Sequence, residues 1–98
     1  MYILIKDWLD YGHAINTAAH SGMVGYIKWQ DSDEVKEWLQ DSYRKVTCRV
    51  TEKEFEKAKQ YDDWEIVTEL AYDKKEVALV FKPRVEYPKF FKFLKLYR

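Results

Sequence analysis

The sequence predicts an α/β domain built on a four-stranded mixed sheet, and three observations carry this prediction. Short apolar runs at 2–6, 64–70 and 76–81 and an alternating run at 44–50 are typical of strands. The first and second strands are separated by segments with helical spacing, which favours a parallel pair with a right-handed crossover. The last two strands are separated only by 71–75, a length that suits an antiparallel hairpin.

The predicted order of elements is β-α-α-β-α-β-β-α, with helices packed on both faces of the sheet. A first helix is expected over about 12–29, where small residues would let it lie close to the sheet. Asp31 or Ser32 can cap a second helix. Thr51 and Glu54 have the spacing of a capping box and predict a third helix.

A last helix is predicted after Pro88, a residue that suits the first turn of a helix. Four apolar residues would then recur along one face: Phe90, Phe91, Leu94 and Tyr97. Residues 82–98 hold six basic side chains against one acid, although the whole chain has no formal net charge. This uneven distribution predicts a polarised surface.

The composition indicates one domain spanning residues 1–98, with enough aromatic and aliphatic surface for a core. A single cysteine, Cys48, cannot form an internal disulfide, which is typical of a cytoplasmic protein. The apolar run at 1–5 is far too short to span a membrane, so no membrane association is expected. The large number of aromatic residues leaves a homodimer open.

Both histidines lie in one segment, and their spacing of seven residues would place them on one face of the first helix. His13 and His20 are therefore candidate catalytic residues, and Asn16 and Thr17 lie between them. A metal would need a third ligand, for which Glu69 is the only candidate, so neither a metal nor another cofactor is expected. A helix with a polar face and two structural histidines is the alternative interpretation.

The same segment resembles a motif of the archaeal-type (second-class) peptidyl-tRNA hydrolases, G-K-x-A-A-Q-x-x-H-A. Gly12 and His20 match the glycine and the histidine of that motif. His13 stands where the family has lysine, Thr17 where it has glutamine, and Ser21 where it has alanine. The segment 94–97, Leu-Lys-Leu-Tyr, is similar to the family's chain end, and 45–50 resembles its second strand.

The resemblance implies hydrolysis of the ester between a peptide and tRNA, with tRNA or another RNA as partner. The catalytic residues would be His13, His20 and Glu69, the carboxylate nearest to the family's aspartate. Asn16 and Thr17 would bind the substrate. The family's loop threonine has no counterpart between the last two strands.

The basic residues near the chain end, Lys89, Lys92 and Lys95, are predicted to contact phosphates of the substrate. The alternative is an ordinary amphipathic helix with a basic solvated face. Two other functions stay open for the whole chain. One is binding of RNA or nucleotide without hydrolysis, and the other is a protein-interaction domain on the same fold.

Overall fold

Four strands form one mixed sheet in the computed structural model, which describes all 98 residues. They are β1 (Tyr2–Lys6), β2 (Val46–Val50), β3 (Trp64–Glu69) and β4 (Lys75–Phe81), in the spatial order β2-β1-β4-β3. The pair β1–β2 is parallel, and β4 is antiparallel to both β1 and β3. The predicted mixed sheet is confirmed. Because β1, β2 and β3 run in the same direction, their carboxyl ends lie at one edge.

Three helices accompany the sheet: α1 (Tyr11–Trp29), α2 (Asp33–Gln40) and α3 (Glu52–Ala58). Each begins after a residue whose side-chain oxygen accepts an amide hydrogen bond, which satisfies a donor that the first turn leaves free. Ser32 caps α2, and Thr51 with Glu54 forms the expected capping box at α3. Asp10 caps α1. None of these helices is both long enough and apolar enough to cross a membrane.

The sheet is buried on both faces because successive side chains of its central strands point to opposite sides. Ile3 and Ile5 belong to the cluster beneath α1 and α2, whereas Leu4 belongs to the cluster on the face of α3. At Gly25 a Cβ atom would lie 2.7 Å from Cε of Met1 and 3.0 Å from a methyl carbon of Val80. The glycine therefore lets α1 lie close to Met1 and β4.

The prediction of a helix after Pro88 is wrong. Lys89–Phe93 forms a 3₁₀ turn, and the chain from Leu94 onward is extended. Leu96 pairs with Cys48 in an antiparallel bridge along β2. Two backbone bonds of 2.9 Å fix this segment, from the amide of Arg49 to the carbonyl of Lys95 and from the amide of Tyr97 to the carbonyl of Thr47.

The reason for this difference is that β2 has a free edge, whose backbone groups gain partners when the chain lies beside it. A short 3₁₀ turn already buries Phe91 and Leu94, because residues three apart lie on one side of such a turn. The apolar spacing that predicted a helix is therefore satisfied without one.

Candidate functional site

The candidate site lies at the edge where the carboxyl ends of β1, β2 and β3 meet the amino ends of α1 and α3. Open α/β sheets commonly bind ligands outside the carboxyl ends of their strands. The amino end of a helix adds free amide groups and a partial positive charge. The side chains gathered here come from four separate parts of the chain.

The centre of the site is a hydrogen-bonded group of Asp10, His13 and Tyr72. Asp10 Oδ1 lies 2.7 Å from His13 Nδ1 and accepts a hydrogen bond of 2.6 Å from the hydroxyl of Tyr72. The backbone amide of His13 donates to Asp10 Oδ2 at 3.4 Å. An ionised carboxylate only accepts hydrogen bonds, so Nδ1 carries the imidazole proton in this contact. The Nε2 atom of His13 is then left with a lone pair.

The charges within this group reinforce the arrangement. The hydrogen bond from Tyr72 and the one from the His13 ring lower the pKa of Asp10 from 3.8 to about 2. The same bond to Asp10 is the main cause that raises the pKa of Tyr72 above its usual value of 10.0. At neutral pH Asp10 is therefore a carboxylate, and Tyr72 holds its proton.

We expect Tyr72→Phe to raise the pKa of Asp10 from about 2 toward 3.8, because the largest cause of the depression is removed. A carboxyl group whose pKa is lower in the folded than in the unfolded state stabilises the fold at any pH above its unfolded-state pKa. This contribution is lost as the pH falls through the folded-state pKa. The lost window therefore runs from about pH 4 down to about pH 2. Carboxyl ¹³C chemical shifts of Asp10 against pH measure this. An unchanged titration in the variant would contradict the Tyr72 contact.

Tyr72 reaches Asp10 because the connection from β3 to β4 is a tight turn. Leu70–Tyr72 forms one 3₁₀ turn, and Glu69 accepts a hydrogen bond from the amide of Ala71 at 3.1 Å. Asp73 and Lys74 follow with φ angles of 53° and 60°. Two consecutive residues in the left-handed region reverse the chain at once. The tyrosine is thereby held at the start of the reversal.

An aromatic residue connects this group to an ion pair whose lysine is buried and whose glutamate is exposed. The ring of Trp8 lies 5.5 Å from that of Tyr72, and its Nε1 donates to Glu52 Oε1 at 2.7 Å. Lys6 Nζ lies 3.2 Å from Glu52 Oε2 and 4.4 Å from the ring centre of Phe55. Lys6 is only 9% exposed. The first residue of α3 therefore holds the ammonium group of Lys6 in place at the edge of the sheet.

A shallow cleft of about 510 Å³ lies at the same edge, beside β2. It is lined by Asp7, Arg49, Thr51, Glu54 and Lys95. The guanidinium of Arg49 donates to the carbonyl of Asp7 at 3.3 Å and lies over the ring of Tyr97. A larger cleft of about 680 Å³ lies at the opposite end of the sheet and includes none of the residues around Asp10. The titratable groups cluster at the edge around Asp10, whereas the larger cleft lies at the opposite end of the sheet. We place the candidate site at the edge around Asp10, because its side chains can carry out proton transfer.

The residues predicted along α1 have different surroundings. His20 and Asn16 are exposed, and His20 lies two turns, about 10 Å, farther along the helix axis than His13. Thr17 is 1% exposed, and its hydroxyl has no hydrogen-bond partner. Glu69 is half-buried, and its charge helps to raise the pKa of Tyr72. His13 and Glu69 are therefore brought to the same edge, whereas His20 is outside the central group.

The three predicted basic residues do not form one surface. Lys95 lines the cleft near Arg49, but Lys92 lines the larger cleft at the opposite end of the sheet. Lys89 is exposed at the start of the 3₁₀ turn. The extended course of the chain after Leu94 separates side chains that a helix would have aligned.

No group of three or more His, Cys, Asp or Glu side chains is arranged to hold a metal ion. Sequence reasoning missed Asp10, Tyr72 and the Lys6–Glu52 pair. Asp10 could have been found, because an aspartate three residues before His13 has the spacing of a helix cap. Tyr72 carries no such signal, since it is 62 residues away from Asp10 in sequence.

Comparison with models of known protein families and with curated protein sequences finds no match. The features that indicate a function are therefore the geometry of this edge and the motifs within the chain itself. The residues concerned are Asp10, His13 and Tyr72, with Trp8 and the Lys6–Glu52 pair beside them.

Proposed function

We propose that the protein hydrolyses the ester that joins a peptide to the terminal ribose of tRNA, with His13 as the general base. The observation that carries this proposal is the 2.7 Å contact between His13 Nδ1 and Asp10 Oδ1 at the start of α1. A carboxylate that orients an imidazole in this way leaves the other ring nitrogen free to take a proton. The resemblance of the segment 12–21 to the hydrolase motif supplies the substrate class.

The proposed reaction begins when Nε2 of His13 removes a proton from water as the oxygen attacks the ester carbonyl carbon. The carbonyl oxygen becomes negatively charged, and the amides at the amino end of α1 stabilise it. The tetrahedral intermediate then collapses, and the bond between the carbonyl carbon and the ribose oxygen breaks. The imidazolium returns its proton to the departing ribose oxygen. Asp10, ionised throughout, stabilises the imidazolium.

The surroundings of the pair suit the end of an RNA strand. Nucleobases stack on exposed aromatic rings, and the ring of Trp8 is 42% exposed near the amino end of α1. Arg49 and Lys95 at the neighbouring cleft are available to phosphate groups. Glu69 takes no proton from water in this scheme, because its carboxylate already accepts from its own turn and acts on Tyr72.

The test is release of labelled peptide from peptidyl-tRNA by the purified protein and by Asp10→Asn. Asparagine keeps the helix cap but no longer holds the imidazole by charge, so we expect turnover to fall on the order of 100-fold or more. Asp62→Asn is the matched control, since Asp62 is exposed and remote from the site.

Three outcomes would overturn parts of the proposal. Equal turnover by Asp10→Asn and the wild type would remove the pair from the reaction. No turnover by the wild type, together with tRNA binding that weakens steeply with salt, would leave a binding protein without hydrolysis. Absence of both turnover and binding at low salt would remove RNA as the partner.

A further inference from the structure

The outer face of α1 carries no formal charge. Nine residues between Tyr11 and Ile27 are exposed, and all are apolar, small or uncharged: Tyr11, Gly12, Ile15, Asn16, Ala19, His20, Met23, Tyr26 and Ile27. Ile15 is 70% exposed and Met23 66%. The only charged residue of α1 is Lys28 in its last turn, which is paired with Glu65 at 3.0 Å. In a chain with 35% charged residues, such a face is unusual for a surface that meets only water.

The side chains on this face are arranged symmetrically about Ala19. Four residues before and after it are Ile15 and Met23, and eight residues away are Tyr11 and Ile27. Seven residues before it is a glycine, Gly12, and seven after it is a large ring, Tyr26. A row of residues four apart is the ridge by which helices commonly pack against each other.

We propose that α1 is the interface of a homodimer, in which two copies pack antiparallel across a two-fold axis at Ala19. Each Ile15 then contacts the partner's Met23, and each Tyr11 contacts the partner's Ile27. The partner's Tyr26 covers Gly12, where no side chain opposes it. A two-fold interface must be complementary to itself, and the pairing of large with small residues about Ala19 meets that requirement.

The extent of the face fits a second copy of this helix. Half the lateral surface of a helix about 25 Å long and about 10 Å wide is about 400 Å². Two copies would bury about 800 Å², the size of a weak and transient interface, so the dimer should dissociate on dilution. A nucleic acid or a charged peptide would find no complementary charge on this face. The tests of this interface measure association alone, so their outcome does not depend on the hydrolysis proposed for His13.

The first test is sedimentation velocity over a wide range of protein concentration with the wild type and Ala19→Arg. We expect a concentration-dependent dimer, and an increase of about 100-fold or more in its dissociation constant in the variant, because two like charges meet at the axis. Arginine is a good helix former and Ala19 is exposed, so the monomer should keep its fold. Gln40→Arg adds the same charge to an exposed site on α2 and should leave the dimer unchanged.

The second test checks the register. Ile15→Glu and Met23→Lys should each weaken the dimer, whereas the double variant should recover most of the affinity, because residue 15 faces residue 23 of the partner. Ala19→Cys should form an intermolecular disulfide, and the buried Cys48 does not compete. A wild type that is monomeric at every concentration, or a dimer unaffected by Ala19→Arg, would overturn the interface. Failure of both the double variant and the cross-link would overturn the antiparallel pairing.

Discussion

His13→Ala should lower the rate of peptide release from peptidyl-tRNA by about 10²–10⁴-fold, the usual contribution of a positioned general base. One nitrogen of the imidazole contacts the Asp10 carboxylate, and the other is available to a water molecule. The alanine variant has no group that could take the proton in its place. The loss should fall on kcat, because the ring acts on the water in the transition state and not on the bound substrate. Single-turnover measurements at saturating enzyme give the rate of the chemical step separately from substrate binding.

Two comparisons make the His13 result specific. Imidazole added to the solution should restore part of the activity of His13→Ala, because it can occupy the space of the missing ring. His20→Ala shows whether the second histidine takes part, since His20 lies two turns farther along α1. Full activity in His13→Ala would rule out the proposed mechanism. Loss in His20→Ala alone would move the reacting centre along the helix.

Phe91→Ala should lower the free energy of unfolding by about 3–5 kcal/mol, the usual cost of removing a buried aromatic ring. Phe91 is 2% exposed. Its ring lies within 5.6 Å of five other rings, those of Tyr2, Tyr61, Phe81, Tyr87 and Phe90. The ring joins the 3₁₀ turn to both β1 and β4, so no neighbour can refill the space without moving a strand.

Phe93 provides the matched control, because it lies two residues away and is 76% exposed. Phe93→Ala should change the free energy of unfolding by less than about 0.5 kcal/mol. Urea denaturation followed by tryptophan fluorescence measures both variants. Similar stabilities would mean that the segment 89–94 does not pack as described.

Much of the fold could be predicted because its signals are local. The alternation in 44–50, a cap at Asp31 or Ser32 and the capping box of Thr51 and Glu54 depend on a few neighbouring residues. The structure confirms the strand at Val46–Val50, the cap at Ser32 and the capping box. Local signals could not show that the helix predicted after Pro88 does not form. The free edge of β2, which pairs with the segment instead, lies 48 residues earlier in the chain, from Leu96 back to Cys48, and no local pattern shows that this edge lacks a partner.

The site residues also differ in whether a local sequence signal identifies them. His13 was identified from its spacing to His20 and from the motif that begins at Gly12, whereas Asp10 was within reach of the rules for helix caps. Thr17 shows the limit of a helical stripe: it lies one residue after the exposed Asn16, but the sheet lies against its side of α1 and buries it. Tyr72 depends on a tight turn between two strands, so its meeting with Asp10 requires the whole sheet.

The extended segment after Leu94 also determines how the sheet meets other chains. By pairing with β2 it occupies backbone donors and acceptors that would otherwise recruit strands from neighbouring molecules. The opposite edge strand, β3, is protected by other means: the register shifts between Val67 and Thr68, and Glu65 accepts a bond from the amide of Ile66 while pairing with Lys28. Resistance to aggregation therefore depends on a paired segment at the β2 edge and on a register shift and an ion pair at the β3 edge. Detachment of residues 94–97 in mild denaturant would uncover the edge of β2 while the sheet persists, and that is where strand addition would begin.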